Sequence, residues 1–197
     1  FRKNITGIDQ CFVGPQGEKK ILYADWTASG RLYGPIEERM SKEIGNFVAN
    51  THTETSLTGR MMTNAYHEAK HIIKKHVNAN ETDILISSCS GMTGVVNKLQ
   101  RILGLKLHEK MRKKIDIPQS ERPIVFVTHM EHHSNQTTWL ETICDVVVIQ
   151  ACSEGCLDLD HFQQLLEKYS DRLTKIAAVT SCSNVTGIQT PYHEIAK

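Results

Sequence analysis

Short apolar runs alternate with stretches of helical spacing along most of this chain. Ile124, Val125, Phe126 and Val127 are apolar at every position and read as a buried strand. Residues 146–149 and 176–180 repeat that signature, and Ile84, Leu85 and Ile86 place an earlier strand at 83–87. Helical spacing lies between them. Pro35 opens one helix, with Ile36, Met40, Ile44, Phe47 and Val48 on one face. A second helix is expected from about 64 to 77, with Ala65, Ala69, Ile72 and Ile73 inward. A third carries Val95, Val96, Leu99, Ile102 and Leu103. A fourth covers 157–169, with Asp158 or Asp160 as its N-cap, and Pro191 precedes another helix start. Residues 1–20 have several turn formers and little periodicity, and read as an N-terminal arm. Residues 104–123 are basic and irregular, a solvated excursion. Strands alternating with helices predict an α/β fold built on a mostly parallel sheet.

Composition narrows the partners. The chain has 197 residues, 40% hydrophobic and 23% charged, with a net charge of +1. That balance gives no reason to expect nucleic acid or an acidic membrane surface. No apolar run approaches membrane-spanning length. Six cysteines lack framework spacing, and only Cys152 and Cys156 lie close together, with no second pair to complete a zinc site. They read as reduced thiols of an intracellular protein, in the cytoplasm or an organelle.

Four constellations offer chemistry. His67-Glu68-Ala69-Lys70-His71 is a zincin string, with two histidines one helical turn apart. It reads as a zinc hydrolase site or as a solvated helix face; Lys74 and Val77 stand where an extended motif needs glycine and histidine. His129, His132 and His133 follow the 124–128 strand, at the end where open α/β sheets bind ligands. They suit a metal or the wall of a cleft. Ser90-Gly91-Met92-Thr93 joins a strand to a helix, and free N–H groups there favour a phosphate, although glycine at such a turn also serves geometry alone. Ser183-Asn184-Val185-Thr186-Gly187 follows the last strand, where an asparagine can bond a ring substituent or form a turn.

In this order, over roughly residues 21 to 197, the pieces resemble the class V aminotransferase superfamily, pyridoxal-phosphate enzymes of fold type I. The nearest branch is the cysteine desulfurases and selenocysteine lyases. The resemblance rests on Tyr23-Ala24-Asp25 with Ala28, Asn50-Thr51-His52, Tyr66, Gly91-Met92-Thr93 with Asn97, Glu131-His132-His133-Ser134-Asn135 with Trp139, and Ser183-Asn184-Val185-Thr186-Gly187 with Pro191. It implies the three-layer α/β/α large domain of such enzymes over residues 21–197, truncated on its C-terminal side. It implies pyridoxal 5'-phosphate as cofactor, an amino-acid substrate, transferase or lyase chemistry, and a homodimer. Gly91, Met92 and Thr93 would hold the cofactor phosphate, Met92 through its backbone. His132 would stack on the pyridine ring, Asn184 would bond its phenolic oxygen, and Ala28 would lie near the substrate.

The departures from the pattern are Ser56 where the desulfurases have a second histidine, Trp26 for asparagine and Thr53 for arginine. They bear on substrate rather than cofactor. The resemblance also places the Schiff-base lysine beyond Lys197, so that the 197 residues are expected to be inactive alone. A non-catalytic scaffold homologue is the competing expectation.

Overall fold

The computed structural model describes residues 1–197 apart from Cys89 and Lys113. The chain forms two compact units, Phe1–Ile86 and Ser87–Lys197.

The first unit begins with structure where the sequence suggested an irregular arm. Strands β1 (Cys11–Gly14) and β2 (Gly17–Lys20) pair antiparallel, with Cys11 opposite Lys20 and Gly14 opposite Gly17. The Gly-Pro-Gln-Gly turn closes them, and Lys20 pairs with Asp9 at 2.5 Å. Helix α1 (Gly34–Arg39) has Pro35 in its first turn, as expected. It passes into a π turn at Met40–Ile44 and a 3-10 turn at Gly45–Phe47. Helix α2 (Leu57–His76) starts a full two turns before the expected position. The Ser56 hydroxyl accepts the Gly59 N–H at 3.1 Å, and this cap fixes the helix start upstream of its apolar stripe.

Residues 83–87 do not form a strand. Among the described residues neither sheet includes Ile84–Ile86, and Ile84 is 85% exposed. An apolar β-prone run without a ladder partner has no hydrogen bonds to hold it extended.

The second unit carries the remaining elements. They are α3 (Gly91–Ile102), α4 (Glu109–Arg112), β3 (Ile124–Thr128), α5 (His133–Leu140), β4 (Asp145–Ile149), α6 (Leu159–Lys168), β5 (Lys175–Ala178) and α7 (Tyr192–Ile195). The three strands form a parallel sheet in the order β4-β3-β5. All five residues of the central strand β3 are buried. Its alternation sorts two cores. Val125 and Val127 pack with Val96 of α3, Trp139 of α5, Leu105 and Cys144. Ile124 and Phe126 pack with Phe162 and Leu165 of α6, together with Ile149 and Leu157. Helices therefore cover both faces, giving the three layers. Asp158 caps α6 by accepting the His161 N–H at 2.9 Å. At the amino ends of the strands, buried Arg172 donates to Asp145 at 2.8 Å and to the Arg122 carbonyl at 2.7 Å. Among the described residues no helix is long and apolar enough to cross a membrane.

Burial also sets the chemistry of one cysteine. The Cys144 thiol is pushed above the ordinary thiol value of 9.0, chiefly by desolvation in the α3/α5 core. A folded state that holds this proton more tightly contributes stability that is complete below 9.0 and declines as pH rises above it. Alkylation of native protein with iodoacetamide at neutral pH is expected to label exposed Cys156 and Cys182 well before Cys144. Equal labelling rates by peptide mapping would contradict this.

Candidate functional site

The carboxyl ends of β3 and β5 carry the site, and one carboxylate organises it. Strand β3 ends at Thr128, and the chain turns through His129 and Met130 to Glu131. Glu131 Oε1 accepts from the Thr128 hydroxyl at 2.8 Å and from the Thr180 N–H at 2.6 Å. Its Oε2 accepts from the Asn135 amide at 2.7 Å. Strand β5 was expected to run to Thr180 but leaves the ladder after Ala178. The Glu131 carboxylate takes the place of the missing strand partner for Thr180. Asn135 also donates to the Ala178 carbonyl at 3.1 Å and accepts from the Trp139 indole at 3.2 Å. The Glu131…Asn135…Trp139 spacing is thus a staple between β3, β5 and α5.

The staple aims His132. This residue is the N-cap of α5, a helix that apolar periodicity does not announce. Its Nδ1 accepts from the Ser134 N–H at 3.2 Å and lies 2.8 Å from the Ser134 hydroxyl. With Nδ1 accepting, the neutral ring carries its proton on Nε2. His129 instead donates from Nε2 to the Gly155 carbonyl at 3.1 Å, a structural role. His133 begins α5, exposed.

Two cavities share Glu131 and His132. The first, of 580 Å³, is lined by Ser90, Gly91, Met92 and Thr93 on one side and by Ser134, Asn135, Thr180 and Ser181 on the other. Val96 reaches its wall, so the cavity floor is continuous with the α3/α5 core. Among the described residues no side chain caps the N-terminus of α3, and its first-turn N–H groups lack intrahelical partners. Gly91 has φ +61°, and among the described residues nothing lies within 4 Å of where a Cβ would stand. An uncapped helix start opening on a hydroxyl-rich cavity suits a phosphate. Met92 points its side chain into solvent, so only its backbone faces an anion.

The second cavity, of 660 Å³, is lined by His129, His132, His133, Ala151, Gly155 and the 183–188 loop, including Asn184. That loop is shaped by Ser183, which the sequence placed in the motif without a role. The buried Ser183 hydroxyl accepts the Val185 and Thr186 N–H groups at 3.3 and 3.2 Å. The Asn184 amide makes no hydrogen bond to the described residues and is available to a ligand. The residue sets at 91–93, 132 and 184 therefore converge around His132. Both cavities fall in the size range of small-molecule sites.

The other sequence candidates fall elsewhere. Ala28 lies in the first unit, in an exposed turn at residues 26–28. His67, Glu68 and His71 stand exposed on α2. Among the described residues no three histidine, cysteine or acidic side chains gather as a metal site. The zinc reading thus lacks its third protein ligand there.

Comparison with known proteins settles the family. The model of the aminotransferase class-V family matches residues 22–197. The chain belongs to the class-V aminotransferase family. Two similar relatives are each named a probable cysteine desulfurase. One, from Halalkalibacterium halodurans, is 23% identical over 181 residues, covering 90% of this chain and 41% of the relative. One from Staphylococcus aureus is 24% identical over 173 residues, covering 86% and 38%. The chain thus spans about two fifths of the length of the relatives it matches. A cysteine desulfurase structure from Thermococcus onnurineus superposes with a TM-score of 0.67 at 22% identity, covering 89% of this chain and 40% of that one. One from Escherichia coli gives 0.63 at 20% identity, covering 97% and 43%. These likenesses show the fold, the α/β/α arrangement of fold type I pyridoxal-phosphate enzymes.

Proposed function

We propose that the paired cavities around His132 hold pyridoxal 5'-phosphate, and that the whole protein acts on an amino acid as a cysteine desulfurase-like enzyme. The observation that carries this is the convergence of an uncapped helix start, a fixed imidazole and an unpaired asparagine amide on adjoining cavities. Family membership supports the same cofactor. The backbone N–H groups of Gly91, Met92 and Thr93 bind the phosphate, aided by the dipole of α3. The His132 ring, braced by Ser134, covers one face of the pyridine ring. Asn184 donates to the ring's phenolic oxygen from a loop shaped by Ser183. Bound pyridoxal phosphate supplies an electron sink for breaking a bond at the amino acid.

Among the described residues no lysine lines either cavity. On this reading the lysine that links the cofactor and moves protons is supplied by residues outside these 197. The 197-residue chain is then expected to show no amino-acid-dependent turnover. Ala28 is proposed to lie near the substrate in the whole protein, which we propose to be a homodimer.

Replacing His132 by alanine in the full-length protein is expected to weaken cofactor binding up to about tenfold, the scale of one lost ring contact. Absorbance titration with pyridoxal phosphate measures it. Unchanged affinity, visible spectrum and turnover in H132A would refute the stacking role.

A further inference from the structure

Residues 151–157 make a tight hairpin on the rim of the second cavity. Ala151 and Leu157 form an isolated antiparallel bridge. One step further in, Cys152 faces Cys156, and the Cys152 N–H donates to the Cys156 carbonyl at 2.8 Å. The Cys152 carbonyl accepts the Gly155 N–H at 3.0 Å. Gly155 sits at φ +81°, a conformation that glycine adopts without strain. This is a three-residue hairpin loop closed by a left-handed glycine bulge. Opposed residues of antiparallel strands have Cα atoms about 4.5–5.5 Å apart, and their side chains share a face. A disulfide bridges Cα separations of about 4.4–6.8 Å. Both thiols are free, with Cys156 exposed and Cys152 half-buried.

We propose that Cys152 and Cys156 are a reversible dithiol–disulfide pair, oxidised by small-molecule disulfides of the glutathione class, that locks this rim. The Cys156 thiolate, the more exposed, attacks one sulfur of the small disulfide and expels the other half as a thiol. The Cys152 thiolate then attacks the Cys156 sulfur and expels the second half. The two protein thiols lose two protons and two electrons, and the small disulfide takes up both to become two thiols. The hairpin already holds the reacting residues opposite each other, so the second step has little orientational entropy to lose. A small dithiol reverses the exchange.

The pair touches the site through Gly155. Its carbonyl holds His129, and Ala151 and Gly155 line the same cavity as His132 and Asn184. Oxidation therefore fixes a wall that is held in the reduced protein by a few backbone hydrogen bonds. This reading does not depend on which ligand occupies the cavity.

The test treats the full-length protein with oxidised glutathione and follows intact mass, disulfide peptide mapping and amide exchange. The expected result is loss of two hydrogens, a mapped Cys152–Cys156 link, reversal by dithiothreitol, and several-fold slower exchange at the Gly155 amide. In Cys156→Ser the link is absent and a glutathione adduct persists on Cys152. Lasting glutathione adducts on both cysteines of the unsubstituted protein, a link from either to Cys182, or no reaction at either thiol would overturn the pairing. A mapped link with unchanged Gly155 exchange would overturn the locking.

Discussion

Trp139→Ala is expected to lower stability by about 3–5 kcal/mol, the range for truncating a large aromatic in a packed core. Trp139 is 1% exposed and is the largest of the fully buried side chains among the described residues. It packs with Val96, Val125 and Val127, between α5 and the sheet. Its indole N–H also satisfies Asn135 at 3.2 Å. Alanine leaves a void and an orphaned amide oxygen together. Phenylalanine refills part of the void and loses only the hydrogen bond, so Trp139→Phe is expected to cost less than half as much. Urea denaturation of the full-length protein measures both. Equal losses for the two variants would show that the hydrogen bond, not the volume, dominates. Val96 belongs to both the core and the cavity wall, so the alanine variant should loosen the cavity too.

Glu131→Ala is expected to cost about 2–3 kcal/mol, on the scale of removing a charged acceptor from several donors. The Thr180 N–H and the Asn135 amide lose their acceptor, and the end of β5 loses its tie to β3. Glu131→Gln keeps the shape but offers one acceptor oxygen and places an N–H₂ against donors. It is expected to recover less than half of the loss. If the proposed site holds pyridoxal phosphate, affinity for it falls in both variants, because Glu131 sets the start of α5 and hence His132. Stability from denaturant melts and affinity from titration should move together. A variant with full stability and weakened binding would mean that Glu131 meets the ligand directly.

Much of this was legible in the residues. The apolar runs located β3 and β4, which are buried or half-buried along their whole length, and β5, whose Ile176 and Ala178 pack on the core while Lys175 and Ala177 stay exposed. Pro35, Asp158 and Pro191 marked helix starts through fixed backbone preference or a side-chain cap. Of the features that were not legible, three show the physical reason plainly. The run at Ile84–Ile86 has strand composition, but pairing is decided by a neighbour, not by the run itself. Helix α5 has no apolar stripe to read; it exists because His132 caps it and Trp139 anchors it. Ser183 looks like any loop serine, and its role emerges only when the chain folds back on its hydroxyl. The site residues at 91–93, 132 and 184 came from the resemblance to the class V family, and the fold brings those loops around a shared histidine. The zincin string shows the opposite case, correct spacing without a third ligand among the described residues.

The alternation along β3 has a further consequence. One strand sends odd-numbered side chains into the layer that floors the Gly91 cavity and even-numbered ones into the α6 layer. The sheet works as a partition wall. Substitution among Phe162, Leu165 and Ile149 is felt on the far side of the sheet, away from the cavity. Substitution among Val96, Val125 and Trp139 reaches the cavity floor directly, so the two cores should evolve at different speeds.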